Sequence, residues 1–462
     1  MAAVALTLED LWPCLQGVIP AAMSTCSRDG TPNVTFVSQV YYVDAKHVAI
    51  SFQFFNKTHK NVREHPLACA MIIDPRTLQA YRLYLRFDHS EGAGPLFESM
   101  SLQLQAIASY EGMSDVFRLR AADVYEVFRI ERVDGFTRLP EPPPTERASP
   151  IFIDRDLVSL RLIAERLTRA ELLSDLLETS LQLLEEQFGF RHAMILLADE
   201  RHGKLLTIAS RGYAENGAGS EVGIGEGLIG MAARAKRALR LSAIDHSLRY
   251  ARAVRRRAKT VSGADAVSRE VPLPGLPGAA AQIGVPLIMR GRLIAVLAVE
   301  STDPMAFMPR EETLLTIVAS QLAVGIDQLG RDVEEAAPPD ATRRKTDKRP
   351  LSPARSRRFC FFHVDDCVFV DGEYLIRNVP GRILWRLLTQ YRDEGRSEFT
   401  NRELRMDSWL RLPEIKDNLE SRLILLRKRM EQKCPDIRLL QRGRGRFALE
   451  LDVPIELSEK DA

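Results

Sequence analysis

In the stretch FNKTHKNVREHP, Phe55 to Pro66, two lysines, a threonine and an asparagine fall at Lys57, Thr58, Lys60 and Asn61. They offer two positive charges, a hydroxyl and a carboxamide, and Asn56 is placed to cap a helix that begins among them. The first amides of a helix lack intrahelical acceptors and carry the positive end of its dipole. Amide donors, side-chain hydrogen bonds and lysine charge are what a phosphate needs, so the spacing predicts four side chains converging on an anion beside the preceding run HVAISFQF. A solvated basic helix start is the plainer reading, and spacing alone leaves both open. Near the other end, Arg442, Arg444 and Arg446 punctuate IRLLQRGRGRFALEL, where two strands around an Arg-Gly tip would present cations to phosphates.

The elements that must position these groups divide the chain. At 462 residues, 45% hydrophobic and 27% charged, it is too long for one core, and about three domains are expected. The proline-rich LPEPPPTERASP and the basic EEAAPPDATRRKTDKRPLSPARSRR read as linkers, giving units at 1–138, 154–330 and 359–453, joined by 139–153 and 331–358 and ending in a tail at 454–462. A third such stretch, Ala258 to Ala281, reads as a long loop, and no repeat is found. The net charge of +2 does not itself indicate a polyanion partner; its distribution is more informative. Six scattered cysteines, without CxxC or a histidine at metal spacing, predict reduced thiols and argue against a structural zinc or disulfide framework. No apolar run reaches the roughly 18 residues of a membrane helix. The start MAAVALTLEDLW lacks a basic region, so no membrane partner is expected and the expected compartment is the cytoplasm.

In the first unit VIPAAMSTC, NVTFVSQVYYV, HVAISFQF, ACAMIID and AYRLYLRF alternate as short half-buried strands, a meander expected to close into a small barrel. The arrangement HVAISFQFFNKTHKNVREHPLACAMIIDP, then YRLYLRF and GPLFESMSLQLQAIASYEGMSDVFRLRAADVYEV, resembles the FMN-binding split-barrel family related to pyridoxamine 5'-phosphate oxidase over about residues 12–133. That resemblance implies an FMN phosphate held by Lys57, Thr58, Lys60 and Asn61, with Ser51 and Gln53 lining the strand beside the ring. The oxidase's arginine-and-lysine strand pattern and its substrate-binding C-terminal end are missing, so oxidation of pyridoxamine phosphate is not expected. His59 and His47 show no carboxylate partner in the sequence and read as surface histidines.

The middle unit opens with DRDLVSLRLIAERLTRAELLSDLLETSLQLLEEQF, expected as one long amphipathic helix. Hairpins and a closing helix follow, so helices flank an antiparallel sheet. VGIGEGLIGMAAR and IGVPLIMRGRLIAVLAVES resemble the GAF family over about residues 157–329, which implies a small-molecule ligand or a homodimer joined through outer helices at Asp154 to Phe188 and Arg310 to Leu329. No cysteine lies between Cys69 and Cys360, which excludes a covalently attached bilin in this unit. The NKFDE-type pattern of cyclic-nucleotide binders is missing too. Gly223-Ile224-Gly225-Glu226-Gly227 lacks the lysine and hydroxyl of a phosphate loop, and its glycines read as packing devices. His192, His246 and the arginines at Arg252, Arg255, Arg256 and Arg257 read as ordinary surface or satisfied groups.

In the last unit CVFVDGEYLIRN is a hairpin turning at Asp371-Gly372, PGRILWRLLTQY a helix, Thr400 to Glu403 a capping box, and Ile415, Leu419, Leu423, Leu426 and Met430 one stripe of a longer helix. VDGEYLIRNVPGRILWRLL, DNLESRLILLRKRM and LLQRGRGRFALEL resemble the winged-helix DNA-binding domain of response regulators over about residues 360–452. The implied contacts with DNA are Lys416, Ser421 and Lys428 on the helix and Arg442, Arg444 and Arg446 on the wing, helped by the basic linker. The helix face opposite the stripe also carries Glu414 and Asp417 and is flanked by Ile424 and Leu425, expected exposed, which suits protein contact as well as base contact.

The sequence therefore predicts a multidomain α+β chain: split β-barrel, GAF α/β sandwich with an antiparallel sheet, and C-terminal winged helix-turn-helix. Its expected role is a sensory transcriptional regulator. An FMN-dependent oxidoreductase with regulatory domains, or an adaptor using the winged helix for protein contact, are the alternatives.

Overall fold

The computed structural model describes residues 6–37, 39–52, 56–110, 119–134, 150–199, 203–214, 217–242, 275–335, 356–364, 366–410, 419–443 and 445–460. Gln53, His246, Lys416, Arg444, the arginines at 252–257, and 139–149 and 336–355 of the two linkers lie outside them.

The first unit is a curled seven-stranded antiparallel sheet ordered β2-β1-β5-β6-β7-β4-β3. Its strands are β1 Ala21–Cys26, β2 Pro32–Val37, β3 Val40–Tyr42, β4 His47–Phe52, β5 Leu67–Ile73, β6 Ala80–Glu91 and β7 Ala121–Val133. This corrects the expected meander. The hairpins β1–β2 and β3–β4 sit at opposite edges because helix α1, Asn56–Glu64, carries the chain from β4 across to pair β5 with β1. Strand alternation then builds two cores. Val48 and Ile50 join Leu8, Leu11, Met23, Ile72 and Leu83 on one face, while Ala49 and Val124 meet Met100 of α2, Pro95–Tyr110, on the other.

The second unit has six antiparallel strands ordered β10-β9-β8-β13-β12-β11: β8 His192–Asp199, β9 Lys204–Arg211, β10 Glu221–Gly223, β11 Leu239–Leu241, β12 Ala281–Met289 and β13 Arg292–Ser301. The expected single long helix is two, α3 Pro150–Leu167 and α4 Leu173–Phe188. The break lets Ile163 and Leu167 fold back onto the same core as Leu173, Leu176 and Leu177. With α6, Pro309–Glu335, these helices cover one sheet face, and α5, Gly227–Ala235, covers the other. Arg290 and Gly291, at φ of 50° and 76°, make the tight β12–β13 turn that requires left-handed backbone at both positions.

The third unit joins a four-stranded sheet, β16-β15-β14-β20, to a three-stranded one, β17-β19-β18. Its elements run β14 Arg357–Phe362, β15 Cys367–Val370, β16 Glu373–Ile376, α7 Asn378–Glu394, β17 Glu398–Thr400, α8 Asn401–Met406, α9 Leu419–Lys433, β18 Ile437–Gln441, β19 Arg446–Leu451 and β20 Ile455–Lys460. Thr400 and Glu403 form the expected capping box. The expected tail is instead a strand: β20 pairs in parallel with β14 from Ile455 opposite Arg357 to Lys460 opposite Phe362. Ile455 and Leu457 pack on the core, and the Trp385 indole donates to Glu459 at 2.9 Å.

The glycines before α5 serve close packing. A Cβ on Gly230 would lie 2.1 Å from the Gly223 carbonyl oxygen, and Gly225 holds φ of +101°. Gly230→Ala is therefore expected to destabilise the second unit by about 1–3 kcal/mol through forced displacement, read as a lowered thermal midpoint. An unchanged midpoint would show that the turn gives way freely.

Candidate functional site

Helix α1 splits the four predicted phosphate residues between two directions. Thr58 and Asn61, one turn apart, face the sheet; Lys57 and Lys60 lie outward, with Lys60 72% exposed and 3.7 Å from Glu64. The Asn61 carboxamide, 2% exposed, donates to the Thr25 hydroxyl at 3.1 Å. Asn33 donates to Thr58 at 3.0 Å and to Thr25 at 3.4 Å. These four side chains tie α1 to β1 and β2, satisfying polar groups that burial would otherwise leave unpaired. The four positions span an arc of about 160° at 100° per residue, and α1 buries the Thr58 and Asn61 side of that arc while leaving Lys57 and Lys60 in solvent, so the expected convergence of all four on one spot is not what the fold presents. Ser51 is buried on β4, opposite Ala122.

His59 is a residue that the sequence misplaces. Its Nδ1 lies 2.9 Å from Asp123 Oδ2, and its ring stacks on Phe52 with centroids 4.1 Å apart. Asp123, 4% exposed, also accepts from the Ser90 hydroxyl at 2.6 Å. Asp123 and Ser90 are directly opposite on β7 and β6. A carboxylate on Nδ1 selects the tautomer that leaves Nε2 as an acceptor, and Nε2 has no partner among the described residues. His59 and Asp123 are 64 positions apart, so no local motif could join them. His47, also expected to lack a carboxylate, pairs locally with Asp44 at 2.9 Å.

At the C-terminal end the helix and hairpin part company. Arg446 is exposed and Arg442 reaches Glu450 at 2.5 Å on the same hairpin. The expected reading face of α9 is covered. Ile424 and Leu425 are 2% and 4% exposed rather than solvent-facing, Ser421 is buried, and Lys428 meets Glu178 of α4 at 3.5 Å. The cause is packing: Ile424 belongs to the core of the middle unit. Alongside it, Arg377 donates to both oxygens of Glu221 at 3.1 and 2.5 Å, Lys204 donates to Glu221 at 2.5 Å, and Arg422 lies 3.5 Å from Asp199. Burial pushes the Glu221 carboxyl up, but its bonds from Arg377 and Lys204 outweigh this and hold it below the usual carboxylate range.

The family model described as pyridoxamine 5'-phosphate oxidase matches residues 10–128, and the GAF domain model matches residues 172–326. No curated protein matches the chain. Among solved structures, a GAF domain from a phosphoenolpyruvate-protein phosphotransferase of Coxiella burnetii is similar at 19% identity, covering 39% of this chain and 96% of its own, with a TM-score of 0.30. An FMN-binding protein from Syntrophomonas wolfei is similar at 16% identity, covering 29% of this chain and 90% of its own, with a TM-score of 0.23. A free methionine-R-sulfoxide reductase from Neisseria meningitidis shows 19% identity over 38% of this chain and 90% of its own, with a TM-score of 0.30. The chain contains a split barrel of the pyridoxamine 5'-phosphate oxidase type followed by a GAF domain, and neither match extends past residue 326.

Proposed function

We propose that this chain is a ligand-responsive regulator, in which the barrel and the GAF domain receive small molecules and a C-terminal winged helix acts on DNA. The observation that carries this reading is the position of α9, which packs on its own domain and on the GAF core at once. A change in the GAF domain is then felt by the output helix without a separate relay. The nucleic-acid output is supported by the order of β14–β16, α7, α8, α9 and the β18–β19 hairpin, by exposed arginine at the hairpin, and by the basic linker.

For the barrel, the proposed ligand is FMN. The donor set fits its phosphate in part: Lys57 and Lys60 stand in solvent at the start of α1, and the Thr58 hydroxyl, which accepts from Asn33, keeps a proton to donate. Asn61 and Ser51 support the wall behind them. A bound flavin would supply redox chemistry at the rim where His59 sits. That proximity favours a second reading, an FMN-dependent oxidoreductase, in which His59 holds the proton. If it applies, His59→Asn lowers turnover by about 100-fold or more while flavin content is kept. Unchanged turnover would return His59 to a structural role.

Purified protein is expected to show flavin absorption, and Lys57→Ala with Lys60→Ala should reduce flavin content severalfold without lowering the thermal midpoint; equal content in both proteins rejects the phosphate assignment. Binding to a duplex from upstream of the chain's own gene, titrated across a salt series, should weaken steeply with salt. Replacing Arg442, Arg444 and Arg446 by alanine should lower the slope of log affinity against log salt by up to about 3. An unaltered slope would move the hairpin off the duplex.

A further inference from the structure

Every residue of α9 from Leu419 to Leu426 is buried, so the first two turns of this helix have no solvent-facing side. Two cores account for it. Leu419, Leu423, Leu426 and Met430 fill the C-terminal core, Ile424 enters the GAF core, and Ala218 of the GAF domain's β9–β10 loop reaches back into the C-terminal one. The loop is shaped to the helix. Gly219 holds φ of +89°, and a Cβ there would stand 3.4 Å from both Leu425 Cδ1 and Arg429 Cδ.

Around this small apolar contact the charges are sorted by domain. The C-terminal domain presents Arg377, Arg422 and Lys428; the GAF domain presents Glu221, Asp199 and Glu178 against them. Complementary signs fix the register of the contact, and interfaces between domains of one chain allow relative motion unless they are large and apolar. A helix that enters a major groove needs its outer face and first turns free. In this arrangement all three cations are engaged by GAF carboxylates.

We infer that the GAF domain is an inhibitory cover for α9: docked through Glu221, Asp199, Glu178 and the Ile424 contact, it excludes the helix from DNA, and undocking exposes it. The DNA half of this inference rests on the function proposed above; the docking half does not. A cover of this kind shifts with a ligand only if the ligand binds docked and undocked forms with different affinity.

The test uses the full chain. Arg377→Glu sets two acids against each other, and Ile424→Asp places a carboxylate in the GAF core without entering the C-terminal one. Overall dimensions are read by small-angle X-ray scattering, folding by circular dichroism, and affinity with the upstream duplex at fixed salt. Both variants are expected to stay folded, to enlarge, and to bind the duplex at least about tenfold tighter than the parent, as removal of a competing state requires. Folded variants that keep the parent's dimensions overturn the docking. Enlarged variants that bind no tighter than a DNA-binding parent overturn the inhibition. Enlarged variants that, like the parent, retain no duplex at any salt take down the DNA reading itself, and the inhibition with it. Should Arg377→Glu lose its circular dichroism signal, Ile424→Asp decides alone.

Discussion

The structure turns on one helix that satisfies two cores. Leu419, Leu423 and Leu426 make α9 the centre of the C-terminal domain, and Ile424 makes the same helix part of the GAF domain. A helix whose first two turns are buried all round is ordinary within a single domain but consequential between two, because neither can shift against the other without exposing apolar surface or separating Arg377 from Glu221. The ion pairs bring specificity more than net stability. Removing Arg377 leaves Glu221 still paired with Lys204 at 2.5 Å, so the loss falls short of what an isolated buried charge would cost, and the intact pair is near balance against its desolvation.

The barrel meets its constraint differently. Its polar interior is tied by short-range networks, Thr25 with Asn33 and Asn61, and Asp123 with Ser90 and His59. The first closes α1 onto the sheet. The second fixes the His59 imidazole between Asp123 and the Phe52 ring, so neighbouring but separate sets of side chains hold the two parts of the wall. Splitting the lysines from the buried hydroxyl and carboxamide allows α1 to seal the wall while keeping its charge available to an anion.

What could be read in the sequence follows the range of the interactions. The Arg290-Gly291 and Asp371-Gly372 turns, the Thr400–Glu403 capping box and the packing role of the glycines before α5 are local, and each depends on a few adjacent residues. Barrel strand order, the fold-back between α3 and α4 and the strand β20 depend on partners far along the chain, which alternation alone cannot choose. The phosphate candidates show both effects. Their types point to an anion, but packing of α1 on the sheet buries Thr58 and Asn61 and leaves Lys57 and Lys60 in solvent. Ile424 and Leu425 were legible as apolar residues on the wrong side of a helix; what covers them was not, because Ala218 and Gly219 lie some two hundred positions away.

The two joints between domains differ in chemistry, and that difference indicates which one moves. Between barrel and GAF domain, Ala106 of α2 packs with Leu228, Met231 and Leu241. Arg240 donates across the joint to Gln16 at 2.6 Å and is held on its own side by the Phe307 carbonyl at 3.0 Å and Glu312 at 2.8 Å. Apolar burial of this sort is lost in full when a joint opens, with no solvent interaction in exchange. The joint at α9 adds three ion pairs to the Ile424 contact, and separated charges regain water, which offsets much of the lost attraction. On the inference drawn above, the C-terminal domain is the one that undocks, while the barrel and GAF domain stay joined through this apolar contact.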